Sequence, residues 1–132
     1  MDAQKPQIGT GVYVWKDDKV LLGKRKSSYG LGAWCPPGGK LDLHERGVDA
    51  ARRELREETS LEVGELKFIG YTDELEDPHF VTLHFSADWV SGKPELAEPD
   101  KFETWEWFDW KSLPQPLFRP VENLIKSGFN PK

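Results

Sequence analysis

Disulfides are excluded first: the chain has one cysteine, Cys35, so it cannot build an internal framework of them, and the count fits a reducing compartment. Also missing is any apolar run near the roughly 18 residues needed to cross a bilayer, and no signal-peptide pattern opens the sequence. The expected location is cytoplasmic. Positive charge is not in excess, with 18 Lys and Arg against 23 Asp and Glu and a net charge of −5, which argues against a broad footprint for a DNA or RNA polymer. Internal repeats and low-complexity tracts are absent too. What remains is an ordinary soluble balance, 37% hydrophobic and 31% charged, in 132 residues. That length predicts one domain over 1–132, large enough to bury a core.

One stretch departs from this even composition: residues 38–61, GGKLDLHERGVDAARRELREETSL. If Glu45 to Thr59 is helical, Glu54, Glu57 and Glu58 fall at i, i+3 and i+4, on neighbouring positions of one side. Like charges at that spacing cost about 0.2–0.5 kcal/mol per pair on an exposed helix. A hard divalent cation would relieve them, and Mg²⁺ or Mn²⁺ suits a few carboxylates completed by water and substrate phosphates. The blander alternative is a solvated face balanced by Arg52, Arg53 and Arg56, with Arg53 and Glu57 as an i, i+4 pair. The spacing favours the cation.

Read with its offsets, the stretch is Gly39, five residues, Glu45, seven residues, Arg53-Glu54-Leu55-Arg56-Glu57-Glu58, then an aliphatic at Leu61. It resembles the Nudix box. Ser60 stands where that family usually has a glycine, at a helix exit that favours positive φ. Within the family the chain is most similar to small MutT-like nucleoside triphosphate diphosphatases, especially the branch acting on thiopurine nucleotides, through LLGKRKSS, PPGGKLD, HFVTLHF, EPDKFETWEW and PLF. The resemblance implies an α/β sandwich with a mixed β-sheet between two helices. It also implies Mg²⁺-dependent hydrolysis of nucleoside triphosphates to monophosphate and pyrophosphate, with modified nucleotides among the substrates. Related enzymes are often homodimers, and the aromatic content would allow one here. Two alternatives stay open: another nucleoside diphosphate linked to a group X, such as ADP-ribose, and a non-catalytic nucleotide-binding module.

Carried onto this sequence, the resemblance makes Glu54, Glu57 and Glu58 metal ligands and catalytic residues, with Arg53 holding their carboxylates. Gly39 would offer its backbone carbonyl to the metal, Gly38 would face the substrate, and Glu103, preferred over Glu98, would add a carboxylate. Arg25 would contact phosphate with its planar fork, Thr82 would meet the base at a pocket wall, and Phe118 and Arg119 would close over it. Trp34 is a candidate to stack on the base, although an aromatic beside a loop is as often packed beneath it. Glu45 is expected to tie the loop to the helix start, and Cys35 to line or underlie the site.

Periodicity supplies the frame. Residues 8–15 and 19–25 read as a hairpin turning at 16–18, and 66–72 with 79–90 as a second. Gly30 to Gly39, rich in glycine and proline, reads as a loop. Val48, Ala51 and Leu55 give the acidic helix a narrow docking face. His79 and His84, without metal-ligand spacing, read as ordinary strand residues. Residues 104–110 read as an aromatic strand, and 117–127 as a last helix stopped by Gly128.

Overall fold

The computed structural model describes residues 5–129. Two strands, β1 (Gln7–Lys16) and β2 (Lys19–Arg25), form the first hairpin, paired at Trp15 with Val20 and Lys16 with Lys19. Asp17 takes φ 58° in the turn, a left-handed conformation that a short polar side chain tolerates. Beyond the turn β1 and β2 part. Residues 34–41 run into the opening, so the predicted loop is partly built into the sheet.

There β3 (Trp34–Cys35) pairs with Gly23 and Lys24 of β2. The chain then crosses to β1, where the Val12 N–H donates to the Pro37 carbonyl at 2.8 Å, Thr10 N–H to Gly39 at 2.8 Å, and Leu41 N–H to the Ile8 carbonyl at 3.0 Å. Those buried β1 amides need acceptors once β2 has moved away. The glycine stretch supplies them.

On its other edge β1 runs parallel to β6 (Phe80–Ser91), from Gln7 opposite Phe80 to Trp15 opposite Asp88. Strand β6 also pairs antiparallel with β4 (Glu62–Val63) and β5 (Lys67–Glu74), which makes the second predicted hairpin, and β7 (Phe102–Asp109) pairs antiparallel with β2. The sheet is therefore mixed. Helix α1 (Gly47–Thr59) covers one face and α2 (Arg119–Lys126) the other.

Strand β1 shows why: Val12 and Val14 pack with Ala51 and Leu55 of α1, and Tyr13 and Trp15 pack with Val121 and Leu124 of α2. A strand covered on both sides has no solvent face, which is why VYVW runs apolar without polar alternation. Burying a side chain such as Leu55 fully contributes about 1.5–3 kcal/mol.

Helix α1 begins two residues later than predicted. At Gly47 a Cβ would lie 2.7 Å from Leu83 Cδ1, so a bare backbone starts the helix there. Its buried face is Ala50, Ala51, Leu55, Glu58 and Thr59, whereas Val48 of the predicted stripe is 36% exposed. Ser60 takes the left-handed exit at φ 60° and donates its N–H to the Arg56 carbonyl at 3.0 Å. Serine thus does at this position what glycine would do with less strain. Among the described residues, no helix is long and apolar enough to cross a membrane.

Candidate active site

The wedge of residues 36–40 borders a cavity of about 540 Å³, lined also by Glu54 and Glu58 of α1, Arg25 of β2, Phe80, Thr82 and His84 of β6, and Phe118 before α2. Two glycines let the wedge lie so close. A Cβ on Gly38 would collide with the Thr10 carbonyl, and one on Gly39 would sit 2.5 Å from the carboxyl carbon of Glu54.

Glu58 is only 3% exposed and accepts the Gly38 N–H on Oε1 at 2.9 Å. Burial pushes its carboxyl well above the usual range, the Gly38 bond pulls it back, and Glu54 and Glu98 push it further up. Glu54 is likewise raised, by burial first, against the pull of Arg53. Arg53 is the hub of the acids. It grips Glu45 with Nε and Nη2 at 2.8 and 3.0 Å, gives Nη1 to Glu54 at 2.9 Å and Glu57 at 3.0 Å, and places Nη2 3.2 Å from Asp42 and 3.3 Å from the Lys40 carbonyl. A guanidinium can serve so many partners because its donors radiate in one plane. Glu45 in turn accepts the Asp42 N–H at 3.1 Å, which ties the loop to the helix through Arg53.

Several predicted residues stand elsewhere. Glu57 is absent from the cavity lining and half exposed, beside Glu54 through their shared Nη1. The Gly39 carbonyl, expected at a metal, already accepts the N–H and hydroxyl of Thr10 at 2.8 and 3.0 Å, whereas that of Gly38 accepts no hydrogen bond among the described residues. Glu103 is half exposed and paired with Lys24 at 3.3 Å, because strand alternation from buried Phe102 turns it outward. Trp34 packs against Phe108 at 4.9 Å and does not line the cavity; its neighbour Cys35, one step along β3, does. Arg119 pairs with Glu76 at 3.0 Å on the exposed surface, also outside the lining.

Arg25, Thr82 and Phe118 do reach the cavity. The Arg25 guanidinium is held by the Tyr29 carbonyl at 3.0 Å and Ser27 at 3.1 Å, 4.1 Å from the Phe118 ring. Burial pushes the Cys35 thiol up to about 11, so it lines the wall as an inert neutral group.

Other residues carried little signal in the sequence. Glu98, ranked below Glu103 from the sequence, is outside the cavity lining but close enough to push the Glu58 carboxyl up; its Oε1 is buried without a hydrogen-bond partner among the described residues, while Oε2 meets Lys101 at 3.5 Å. Tyr29 stacks on Phe80 at 5.6 Å and meets the edge of Phe118 at 5.4 Å, forming an aromatic wall. His84 is buried between the Tyr13 hydroxyl at 3.2 Å and the Thr72 hydroxyl at 2.9 Å, and burial lowers its pKa to about 4. Thr72, Thr82 and His84 are polar residues at buried strand positions, a pattern that the sequence does contain.

The donor set is all oxygen: two raised carboxylates, the orphaned Glu98 Oε1 and the Gly38 carbonyl. Among the described residues, no three His, Cys, Asp or Glu side chains are gathered into a ready metal cage.

A pH test follows from Glu58. Its folded pKa lies above the ordinary carboxylate value of 4.5, so as pH falls the folded state takes up the proton first. The melting temperature of the native protein relative to Glu58→Gln, both with chelator, is expected to rise as pH falls from above that folded pKa to about 4.5; the comparison cancels His84, whose pKa, lowered to about 4, costs stability in both proteins as pH falls through 6.5. The gain is complete below the unfolded value and lost as pH rises through the folded one. Glu45, held low chiefly by its bond from Arg53, acts in the opposite sense and gives up its contribution below 4.5. A difference between the two proteins that does not change from neutral pH to 4.5 would contradict a strained, buried Glu58.

Comparison with known proteins agrees with this geometry. The NUDIX domain family matches residues 5–126. An oxidized purine nucleoside triphosphate hydrolase of Danio rerio is 41% identical over 113 residues, covering 80% of this chain and 67% of the relative. An ADP-ribose pyrophosphatase of Methanocaldococcus jannaschii is 33% identical over 124 residues, covering 92% and 72%. The crystal structure of a MutT NUDIX hydrolase from Burkholderia pseudomallei superposes with a TM-score of 0.83 at 33% identity, covering 91% of this chain and 98% of that one. With the family matched over most of its length and an acid-lined cavity formed by its own Nudix box, the chain belongs to the Nudix family and is a Nudix hydrolase.

Proposed function

We propose that the chain hydrolyses nucleoside triphosphates to a nucleoside monophosphate and pyrophosphate, with Mg²⁺ or Mn²⁺ held by Glu54, Glu58, Glu98 and the Gly38 carbonyl. One juxtaposition carries this reading: a cavity of about 540 Å³ joins Arg53-clamped Glu54 and buried Glu58 to an aromatic wall of Tyr29, Phe80 and Phe118. Its size suits a nucleotide.

A bound divalent ion supplies neutralisation of phosphate charge and a lowered water pKa. The chain's own groups do the rest. Arg25, fixed by Tyr29 and Ser27, presents its remaining hydrogens to a phosphate, and Lys40 and Lys101 line the same cavity. Arg53 fixes Glu54 through Oε1, leaving Oε2 to take the proton of the attacking water. Burial raises the proton affinity of Glu54, as that task requires. The aromatic wall excludes water and stacks the base.

Metal titration tests the ligand set. Glu98→Gln is expected to weaken Mg²⁺ affinity about tenfold, by analogy with the loss of a supporting metal contact. Glu103→Gln removes only an exposed ion pair worth about 0–1 kcal/mol and should leave the titration unchanged. A tenfold loss in Glu103→Gln would restore Glu103 to the site, and an unchanged titration in Glu98→Gln would remove Glu98 from it. The likeness to an ADP-ribose pyrophosphatase favours a second reading, hydrolysis of a nucleoside diphosphate joined to another group. Pyrophosphate release from dGTP, oxidised dGTP and dCTP, set beside AMP release from ADP-ribose, separates the two.

A further inference from the structure

Glu74 is fully buried, and no cation reaches it among the described residues. Its Oε1 accepts the Thr82 hydroxyl at 2.6 Å and its Oε2 accepts Asn123 Nδ2 at 2.9 Å. The same Nδ2 donates to the Asp73 carbonyl at 3.3 Å. Thr82 itself lines the cavity, and a Cβ placed on Gly9, another lining residue, would lie 3.8 Å from Thr82 Oγ1. The hydroxyl oxygen therefore stands at the cavity wall between a buried carboxylate and the space a base would fill.

A threonine hydroxyl has one hydrogen and two lone pairs. We propose that Glu74 sets base specificity by taking that hydrogen, so that Thr82 Oγ1 offers only lone pairs to the cavity. The position then accepts a base edge carrying an N–H or NH₂ donor and rejects one that presents an acceptor. Glu74 acts through Thr82 and is a positioning residue. The inference rests on the cavity being a nucleotide site, as proposed above. Mismatch at a buried polar atom leaves it unpaired, a loss large enough to discriminate.

Glu74→Gln tests the polarity. The Asp73 carbonyl keeps the Asn123 amide turned as a donor, so the introduced amide must turn its oxygen to Asn123 and its NH₂ to Thr82. Thr82 Oγ1 then accepts from that NH₂, and its own hydrogen turns to the cavity. Calorimetry with nucleoside 5′-monophosphates and no metal reads the result apart from turnover. Three pairs exchange donor and acceptor at fixed positions: dAMP with dIMP, dGMP with its 8-oxo derivative, and dCMP with dUMP.

The native protein is expected to prefer one member of at least one pair by about tenfold. Glu74→Gln is expected to reverse that preference, and Thr82→Val to remove it. The proposal falls if the native protein shows no preference in any pair, or if Thr82→Val keeps it. It also falls if a folded Glu74→Gln, judged by circular dichroism, binds with native preferences; should Glu74→Gln fail to fold, Thr82→Val decides alone. Pyrophosphate release is measured separately. Selective binding without release would defeat the hydrolytic reading and leave this one, and release without Thr82-dependent selectivity would defeat this one alone.

Discussion

Glu58→Gln is expected to lower kcat for triphosphate hydrolysis about a thousandfold, within the range spanned by general-base and metal contributions. The adjacent Glu57→Gln should cost about tenfold or less, since Glu57 is half exposed and, among the described residues, its carboxylate is bonded only to Arg53. Sequence spacing alone treats the two as equals, and burial separates them. In Glu58→Gln the amide oxygen can still accept the Gly38 N–H, so the fold persists without a buried charge. Chelated Glu58→Gln should therefore melt above the native protein at neutral pH, because it no longer carries a carboxylate that burial disfavours. Lower activity with higher metal-free stability is the signature to look for. Native turnover in Glu58→Gln would remove Glu58 from the reaction, and a thousandfold loss in Glu57→Gln would return Glu57 to it.

Arg53→Lys ranks second. A lysine keeps one charge but cannot reach Glu45, Glu54 and Glu57 together, because its three hydrogens diverge from one point. The loop at 40–45 would lose its bidentate tie to α1, and Glu54 would lose the bond that fixes Oε1. Misplacing a catalytic carboxylate by about 1 Å is enough to cost roughly a hundredfold in kcat/KM. Stability should fall by about 2 kcal/mol, less than for a fully buried pair because Arg53 is 30% exposed. Urea unfolding and steady-state kinetics on one preparation check both numbers. Native kinetics in Arg53→Lys would reduce the hub to surface decoration.

The outline of the fold is legible because its signals are local. Alternation and turn residues place both hairpins, and the Nudix box places the acidic helix and, through the family it resembles, the sandwich. Two-residue strands such as β3 and β4 carry no period to read. The Gly30–Gly39 loop is only half legible, since nothing local shows that β1 and β2 diverge and leave amides for Pro37 and Gly39 to satisfy. Which carboxylate faces inward is also a tertiary fact. Glu98 and Glu103 are both acids in one polar segment, and only the loop path and the register of β7 separate an orphaned buried oxygen from a surface ion pair. Trp34 loses its place at the base to the one-residue phase of a strand. Glu74 carries no local mark, because its partners lie 8 and 49 residues away along the chain.

The wedge between β1 and β2 divides the cavity into two kinds of construction. Its reacting side is laid down largely by main-chain pairing, with the Gly39 carbonyl bonded to the Thr10 N–H and that of Pro37 to the Val12 N–H. Its recognition side is an assortment of side chains from separate elements. Amide exchange should therefore be slow at Thr10 and Val12 whatever stands at positions 74, 82 or 118. An engineer can repaint the second half while the first, written in backbone, stays as it is.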